Sequence, residues 1–151
     1  MAFYLSKGSI KRLKGVNETL VQAVHRAIEI TEVDFGVSCG LRTIEEQRKL
    51  HSTGASKTLK SKHLDGEAVD LVAYMNGNVS WELSVYDEIA TAVALAAKEL
   101  DLPIRWGAAW HIPDIRYWEK SFEEAYTDYI DLRRAEGKVP FIDAPHFEIN
   151  R

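Results

Sequence analysis

Hydrophobic residues recur at helical spacing in three stretches of the chain, about 17–30, 84–100 and 122–136. In each stretch the apolar residues form one stripe and polar residues fill the remaining positions, which is typical of an amphipathic helix packed on a core. Asn17 stands at the start of the first stretch and is a favourable N-cap residue. The pattern therefore predicts three amphipathic helices.

Polar residues mark two further helix starts. Ser84, with Asp87 three residues later, predicts an N-cap for the second long helix. Thr43 and Glu46 have the spacing of a capping box, in which each side chain bonds the other residue's backbone N–H. The sequence therefore predicts a fourth helix over about 44–52.

Short apolar runs between the helical stretches predict strands over about 35–39, 68–74, 103–107 and 145–149. Asn76-Gly77 follows the second run and predicts a tight hairpin, because both residues tolerate positive φ angles. These elements indicate an α+β protein with a small, mostly antiparallel sheet flanked by helices. We expect one domain over residues 1–151, and a length of 151 residues suits a single core.

Composition narrows the class of protein. The net charge of −4 offers no general attraction to nucleic acid or to an anionic membrane. No apolar run reaches the length of a membrane span, and the N-terminal apolar stretch is shorter than a signal-peptide core. We therefore expect synthesis in the cytoplasm without membrane insertion. The single cysteine, Cys39, lies in an apolar run, so we expect a buried structural thiol.

The candidate chemistry centres on His63 and Asp70. Asp70 lies in an apolar strand, where a carboxylate is costly unless it is paired or binds a metal, and Gly66 lets the loop fold back on the strand. His146 lies on a strand near the C-terminus and would complete two imidazoles and a carboxylate, the ligand set of a catalytic zinc site. From spacing alone, a capping aspartate with two unrelated histidines remains an open alternative.

These residues resemble a known family. Ser61-x-His63-x-x-Gly66-x-Ala68-x-Asp70, followed by Asp143-x-x-His146, looks like the zinc signature of the D-alanyl-D-alanine and L-alanyl-D-glutamate peptidases of peptidoglycan. Gly40-x-Arg42-Thr43 and Ser56-Lys57-Thr58 make the chain most similar to the bacteriophage L-alanyl-D-glutamate endopeptidases, which are endolysins. The resemblance covers most of the chain and implies the zinc D-Ala-D-Ala peptidase fold, of the Hedgehog and DD-peptidase type.

The resemblance also implies roles for the site residues. His63, Asp70 and His146 would bind one zinc ion, Asp143 would be the catalytic acid and base, and Arg42 would hold the scissile carbonyl or the oxyanion. Glu148 is a competing base because it shares the predicted strand face of His146. The remaining candidates for substrate contact are Ser61, Lys57 and Lys62.

The expected reaction is hydrolysis of the L-alanyl-D-glutamate bond of the peptidoglycan stem peptide, during host lysis. A D-alanyl-D-alanine carboxypeptidase and a non-catalytic zinc-containing binding module of the same fold remain alternatives. We expect a monomer that is made in the host cytoplasm and acts on the periplasmic wall after a holin-type partner permeabilises the membrane. A helical insertion around 110–139 departs from the small phage enzymes, and a lid is one hypothesis for it.

Overall fold

The computed structural model describes residues 3–151. These residues form five α-helices, five strands and two short 3₁₀ turns, the turns at Lys62–Asp65 and Ile115–Tyr117. The elements in chain order are α1 Lys7–Arg12, α2 Glu18–Ile30, β1 Asp34–Cys39, α3 Ile44–Ser52, β2 Ala68–Met75, β3 Asn78–Ser80, α4 Leu83–Glu99, β4 Ile104–Trp106, α5 Phe122–Ala135 and β5 His146–Ile149.

The strands form one antiparallel sheet in the order β1-β2-β5-β4, and β3 pairs with the far end of β2. The register places Asp70 of β2 directly opposite His146 of β5. The sheet therefore brings together two residues that lie 76 positions apart in the chain. The predicted α+β class and mostly antiparallel sheet are confirmed.

The core lies between the sheet and helices α2, α4 and α5. Strand residues that point inward, such as Val69, Leu71 and Phe147, are fully buried. Trp106 is also fully buried, and its ring stacks on Phe147 at an 11° interplanar angle. Because side chains alternate along a strand, burial of Phe147 and Ile149 turns His146 and Glu148 to the other face, as the sequence predicts.

Most of the predicted helix boundaries are confirmed. The Asn17 side chain caps α2 by accepting from the N–H groups of Thr19 and Leu20, and the capping box of Thr43 and Glu46 is complete at α3. The predicted hairpin is also present, with Asn76 at φ 54° and Gly77 at φ 81°.

The predicted cap of α4 is wrong. The helix begins at Leu83, one residue before Ser84, and its N-cap Glu82 makes no side-chain capping bond. Leu83 packs against the core, so tertiary contact starts the helix earlier than the capping signal indicates.

Helix α1 is absent from the sequence prediction. It has only six residues, too few for a clear periodic pattern. Its Ser9 hydroxyl is buried and accepts from the Val37 N–H at 2.9 Å, while the Arg12 guanidinium donates to the Val37 carbonyl at 3.2 Å. Contacts with β1 therefore hold this helix, and such contacts are invisible to local sequence patterns.

Helix α5, Phe122–Ala135, matches the helix predicted over about 122–136 and lies within the predicted insertion around 110–139. Its Phe122 and Tyr126 rings pack edge-on against Trp106. The helix packs on α4 and against the core, and none of its residues is among those that line the cavity containing His146. Its status as an insertion stays a prediction. Within residues 3–151, no helix combines the length and the apolar character that crossing a membrane requires.

Asp87 on α4 provides a test of the packing between α4 and α5. Partial burial, with repulsion from Glu88 and Glu123, raises the pKa of Asp87 from 3.8 to about 6. The folded protein therefore binds more protons than the unfolded chain between these values, so stability falls as the pH rises through this window. We expect Asp87→Asn to raise the free energy of unfolding at pH 8 by about 1 kcal/mol after solvent screening.

Urea unfolding at pH 8 and at pH 4 checks this expectation. The gain from Asp87→Asn should shrink at pH 4, near the lower end of this window, where the carboxyl of the folded protein is protonated and carries no charge. Asp131→Asn, at an exposed position on α5, is the matched control and should change little. An equal gain in the free energy of unfolding at both pH values would contradict the assignment of the effect to the charge of Asp87.

Candidate metal centre and active site

Three elements deliver the predicted ligands to one point. Strand β2 carries Asp70, strand β5 carries His146, and the 3₁₀ turn Lys62–Asp65 carries His63. The rings of His63 and His146 lie 5.1 Å apart, centre to centre, in an edge-to-face arrangement. Both histidines are buried, at 2% and 7% exposure.

Gly66 allows the turn to return to β2. It adopts a left-handed conformation with φ of 68°, and a Cβ atom there would lie 2.5 Å from the Gly15 carbonyl oxygen. Ser61 caps the turn, because its hydroxyl accepts from the His63 N–H at 3.2 Å. The predicted candidate Ser61 therefore orders the backbone of His63.

Each ring nitrogen of His63 faces a different acceptor. Nδ1 lies 2.8 Å from the Gly40 carbonyl oxygen, and Nε2 lies 3.2 Å from Oδ1 of Asp70. A carbonyl oxygen only accepts, so Nδ1 carries the hydrogen. In the neutral ring, Nε2 then directs a lone pair at the Asp70 carboxylate.

His146 repeats this arrangement with its nitrogens exchanged. Nε2 lies 2.8 Å from Oε1 of Glu148, and Nδ1 lies 3.2 Å from the same Oδ1 of Asp70. An ionised Glu148 only accepts, so Nε2 carries the hydrogen and Nδ1 presents its lone pair. Glu148 therefore orients the ring of His146, a proposed metal ligand, and is placed to act on the site through that ring.

The electrostatics favour a positive charge at this point. Burial lowers the pKa of both histidines, but hydrogen bonds to Asp70 outweigh it and raise the pKa of His63 to about 10 and that of His146 to about 9. Burial raises the pKa of Asp70, but the two histidines hold it well below its usual range.

The spacing of each histidine from Asp70 suits a metal ion such as zinc, and Asp70 belongs to two candidate metal-binding groups, one with Cys39 and His63 and one with Asp143 and His146. Two ligand atoms at about 2.1 Å from a tetrahedral metal lie about 3.4 Å apart, close to the 3.2 Å between each imidazole nitrogen and Oδ1 of Asp70. The outward N–H of each ring already has an acceptor, as is usual for metal-binding histidines. A cation between Nε2 of His63, Nδ1 of His146 and Oδ1 of Asp70 would also remove the repulsion between the lone pairs of these atoms.

Asp143 lies beside this set. Its carboxylate, a ring nitrogen of His146 and a carboxylate oxygen of Asp70 all lie within 4.8 Å of one another. The Asp143 N–H donates to the Gly107 carbonyl at 2.8 Å, and a Cβ atom on Gly107 would lie 2.1 Å from the Asp143 carbonyl oxygen. Burial, followed by repulsion from Asp70, raises the pKa of Asp143, which suits a group that exchanges protons.

Arg42 is held at the edge of the site by several partners. Its Nη1 donates to Oε1 of Gln47 at 2.7 Å, and its Nη2 lies 3.7 Å from Oδ2 of Asp70. Its backbone N–H donates to the His63 carbonyl at 3.0 Å. The guanidinium also lines the cavity that contains the proposed ligands.

Cys39 differs from the sequence expectation. The thiol is half-buried, accepts from Nη2 of Arg42 at 3.3 Å, and lies 3.7 Å from Nδ1 of His63. A register shift in the pairing of β1 with β2 between Val37 and Cys39 accounts for this placement, because it changes the alternation at the strand end. Burial opposes ionisation, but the hydrogen bond with His63 prevails and lowers the pKa of Cys39.

Gln47 is a site residue that the sequence reasoning missed. It is the buried residue of α3, at 1% exposure, and its Nε2 donates to the Ser56 hydroxyl at 2.9 Å and to the Thr58 carbonyl at 2.5 Å. The available signal was a glutamine at a core-facing position of a short helix. Gln47 thus joins Arg42 to the loop at 53–62.

Replacing Gln47 tests this connection. Gln47→Leu leaves Arg42 and the loop backbone without their buried partners, so we expect a loss of about 2–3 kcal/mol in the free energy of unfolding and a lower kcat. Urea unfolding and steady-state kinetics provide the measurements. Arg48→Gln at the next, exposed position is the control. Unchanged values of both quantities in Gln47→Leu would contradict the connection.

The predicted substrate-contact lysines lie in two different settings. Lys62 donates to the Ile149 carbonyl at 2.5 Å and lies 3.9 Å from Oε2 of Glu148, so its ammonium is already engaged. Lys57 and Lys60 are exposed on the loop at 53–62 and line the cavity. The cavity has a volume of about 430 Å³ and also includes Arg42, the proposed ligands, Asp143 and Glu148.

Comparisons with known proteins find peptidase relatives. A family model described as "Phage L-alanyl-D-glutamate peptidase" matches residues 1–150. The L-alanyl-D-glutamate peptidase of Escherichia phage T5 is 34% identical over 115 residues, which cover 74% of this chain and 84% of the relative. The peptidase of the same name from Listeria phage A118 is 34% identical over 70 residues, 46% of this chain and 24% of that protein.

A solved structure is similar over almost the whole chain. The Serratia marcescens L-Ala D-Glu endopeptidase ChiX superposes with a TM-score of 0.71 at 34% identity. The match covers 99% of this chain and 90% of that one.

Proposed function

Since the chain belongs to the phage L-alanyl-D-glutamate peptidase family, we propose that it hydrolyses that bond in peptidoglycan with one zinc ion held by His63, Asp70 and His146. The peptidase activity and the endolysin role follow from the family and from its structural relative.

One observation carries the metal proposal. Two histidines from different parts of the chain each bond an acceptor through one nitrogen and direct the other at the same oxygen of Asp70. The two imidazoles can face that oxygen favourably only when a proton on each ring or a metal ion lies between them, and one zinc ion could replace both protons. When bound there, zinc would polarise the scissile carbonyl and lower the pKa of water to about 7.

Asp143 is the proposed proton carrier. Its carboxylate lies next to the ligand atoms of Asp70 and His146, and its loop is fixed by Gly107 and by the Trp106 indole N–H, which donates to the Ala144 carbonyl at 2.7 Å. We assign to Asp143 the removal of a proton from the attacking water and its delivery to the leaving amine. Glu148, the competing base, is bonded to His146 and is therefore assigned the orientation of that ring.

Arg42 is the proposed donor to the scissile carbonyl oxygen. Gln47 and Cys39 hold its guanidinium, so the group is oriented before substrate arrives. A preorganised donor of this kind typically contributes about 3–4 kcal/mol to transition-state stabilisation. The contact with Asp70 supports a second role, in which Arg42 orients that carboxylate.

Digestion of purified peptidoglycan, followed by mass analysis of the fragments, tests the reaction. The proposal predicts new L-alanine carboxyl ends and D-glutamate amino ends. Release of free D-alanine would instead identify a D-alanyl-D-alanine carboxypeptidase. A zinc-loaded protein that releases no product would identify a binding module.

The cellular setting is also a proposal. Peptidoglycan lies outside the cytoplasmic membrane, so a monomer made in the host cytoplasm would need a holin-type partner to reach it. We expect expression in a host cell to cause lysis only when a membrane-permeabilising protein is produced as well. Lysis by the peptidase alone, at the same protein level, would contradict this dependence.

A further inference from the structure

Two aromatic side chains border the proposed active site, and the reaction described above leaves them without a role. Trp110 and Phe141, the aromatic pair, both line the cavity and stack with ring centroids 6.3 Å apart at 19°. The Trp110 ring lies 5.6 Å from the ring of His146. An aromatic surface therefore begins directly beside a proposed metal ligand.

The aromatic pair is held rigidly while part of it stays open. The Trp110 indole N–H donates to the Phe141 carbonyl at 3.1 Å, and the Arg105 guanidinium lies 5.6 Å from the indole centroid. Arg105 Nε also donates to the Trp110 carbonyl at 2.9 Å. Phe141 nevertheless remains 39% exposed, so the pair offers a preorganised apolar surface to a ligand.

The opposite side of the cavity is cationic. The sheet order β1-β2-β5-β4 separates the loop at 53–62, which follows α3 on the β1 side, from Trp110, which follows β4. Lys57 and Lys60 line the cavity from that loop. The ligand atoms on β2 and β5 thus lie between a cationic edge and an aromatic edge.

The two sides of the substrate differ in the same way as the two edges of the cavity. On one side of the L-alanyl-D-glutamate bond, the D-glutamyl residue carries a free carboxylate. On the other side, L-alanine alone separates the bond from the lactyl group and ring of the muramyl sugar. One residue spans at most about 3.6 Å, so the sugar must lie close to the reacting centre in any productive complex.

We propose that Trp110 and Phe141 form a subsite for the muramyl sugar on the L-alanyl side of the scissile bond. This inference rests on the proposed function and adds the direction in which the substrate lies. The C–H face of the pyranose packs on the aromatic rings, and the D-glutamyl carboxylate lies toward Lys57 and Lys60. The enzyme then recognises the glycan as well as the peptide.

The test compares two substrates that share one peptide. The first carries N-acetylmuramic acid on L-alanine, and the second carries an N-acetyl group in its place. For Phe141→Ala, we expect the ratio of kcat/KM on the sugar-bearing substrate to that on the sugar-free one to fall about tenfold. Phe141→Tyr, which retains the ring, should restore the ratio.

Controls separate the subsite from general damage. Val139→Ala changes an apolar residue that is 85% exposed and is not among the residues lining the cavity, and it should leave the ratio unchanged. Replacing both Lys57 and Lys60 by glutamine should lower kcat/KM on both substrates alike, because both carry the D-glutamyl carboxylate. An unchanged ratio in Phe141→Ala would overturn the subsite.

A binding measurement keeps this inference separate from the proposed function. N-acetylmuramyl-L-alanine, the product on the sugar side, should bind the enzyme in an isothermal titration, and Phe141→Ala should weaken its affinity about tenfold. Absence of binding by a wild-type enzyme that cuts the muropeptide would overturn the subsite alone. Absence of cleavage of either substrate would overturn the proposed function instead.

Discussion

Replacing Asp143 by asparagine is expected to lower kcat by a factor of about 10² to 10⁴ while zinc remains bound. Asparagine keeps the size of the side chain and cannot accept the proton of the attacking water. The loop should keep its position, because the hydrogen bonds of Asp143 with Gly107 and His146 are made by backbone atoms. Steady-state kinetics and metal analysis of the same sample provide the measurement.

Metal content distinguishes the proton carrier from a ligand. Asp143 lies close enough to Asp70 and His146 to bind an ion with them, so loss of zinc in Asp143→Asn would move it into the ligand set. Full activity with zinc bound would instead transfer the base role to Glu148. Glu148→Gln is the companion variant, and it should weaken metal affinity about 10- to 100-fold through the orientation of His146.

Replacing His63 by alanine is expected to abolish both zinc binding and turnover. His63 supplies one of the three proposed ligand atoms, Nε2, which lies 3.2 Å from Oδ1 of Asp70. Removal of a ring with 2% exposure also leaves a cavity and takes the His63 hydrogen bond from the Gly40 carbonyl, so we expect a loss of about 2–4 kcal/mol in stability.

His25→Ala provides the matched control for His63→Ala. His25 is an exposed histidine on α2, so its removal should change neither zinc content nor stability measurably. Because His63→Ala could lose zinc by unfolding, circular dichroism and urea unfolding must accompany the metal analysis. A folded His63→Ala protein that binds one zinc ion and cleaves peptidoglycan would contradict the ligand assignment.

Local patterns predicted most of the secondary structure because local interactions determine it. The caps at Asn17 and Thr43 and the hairpin at Asn76-Gly77 depend on a few adjacent residues, and all three are present. Helix α1 and the start of α4 at Leu83 depend on packing against distant elements. A capping residue such as Ser84 cannot reveal that packing.

The residues of the candidate site also divide into those that local patterns reveal and those that depend on distant contacts. The requirement that a strand aspartate have partners pointed to Asp70, and strand alternation placed His146 and Glu148 on one face. Gln47 and Cys39 gave no comparable signal, because their roles depend on the position of Arg42 and on the irregular end of β1. Trp110 and Phe141 meet only because the fold joins the two ends of a long segment.

Zinc titration of the metal-depleted enzyme tests the central proposal most directly. After removal of all metal by a chelator, the protein should no longer cleave peptidoglycan, and activity should return in proportion to added zinc until about one equivalent is bound. His63→Ala should show no recovery over the same range. Full cleavage by a protein shown to contain no metal, or recovery by His63→Ala equal to that of wild type, would contradict the account.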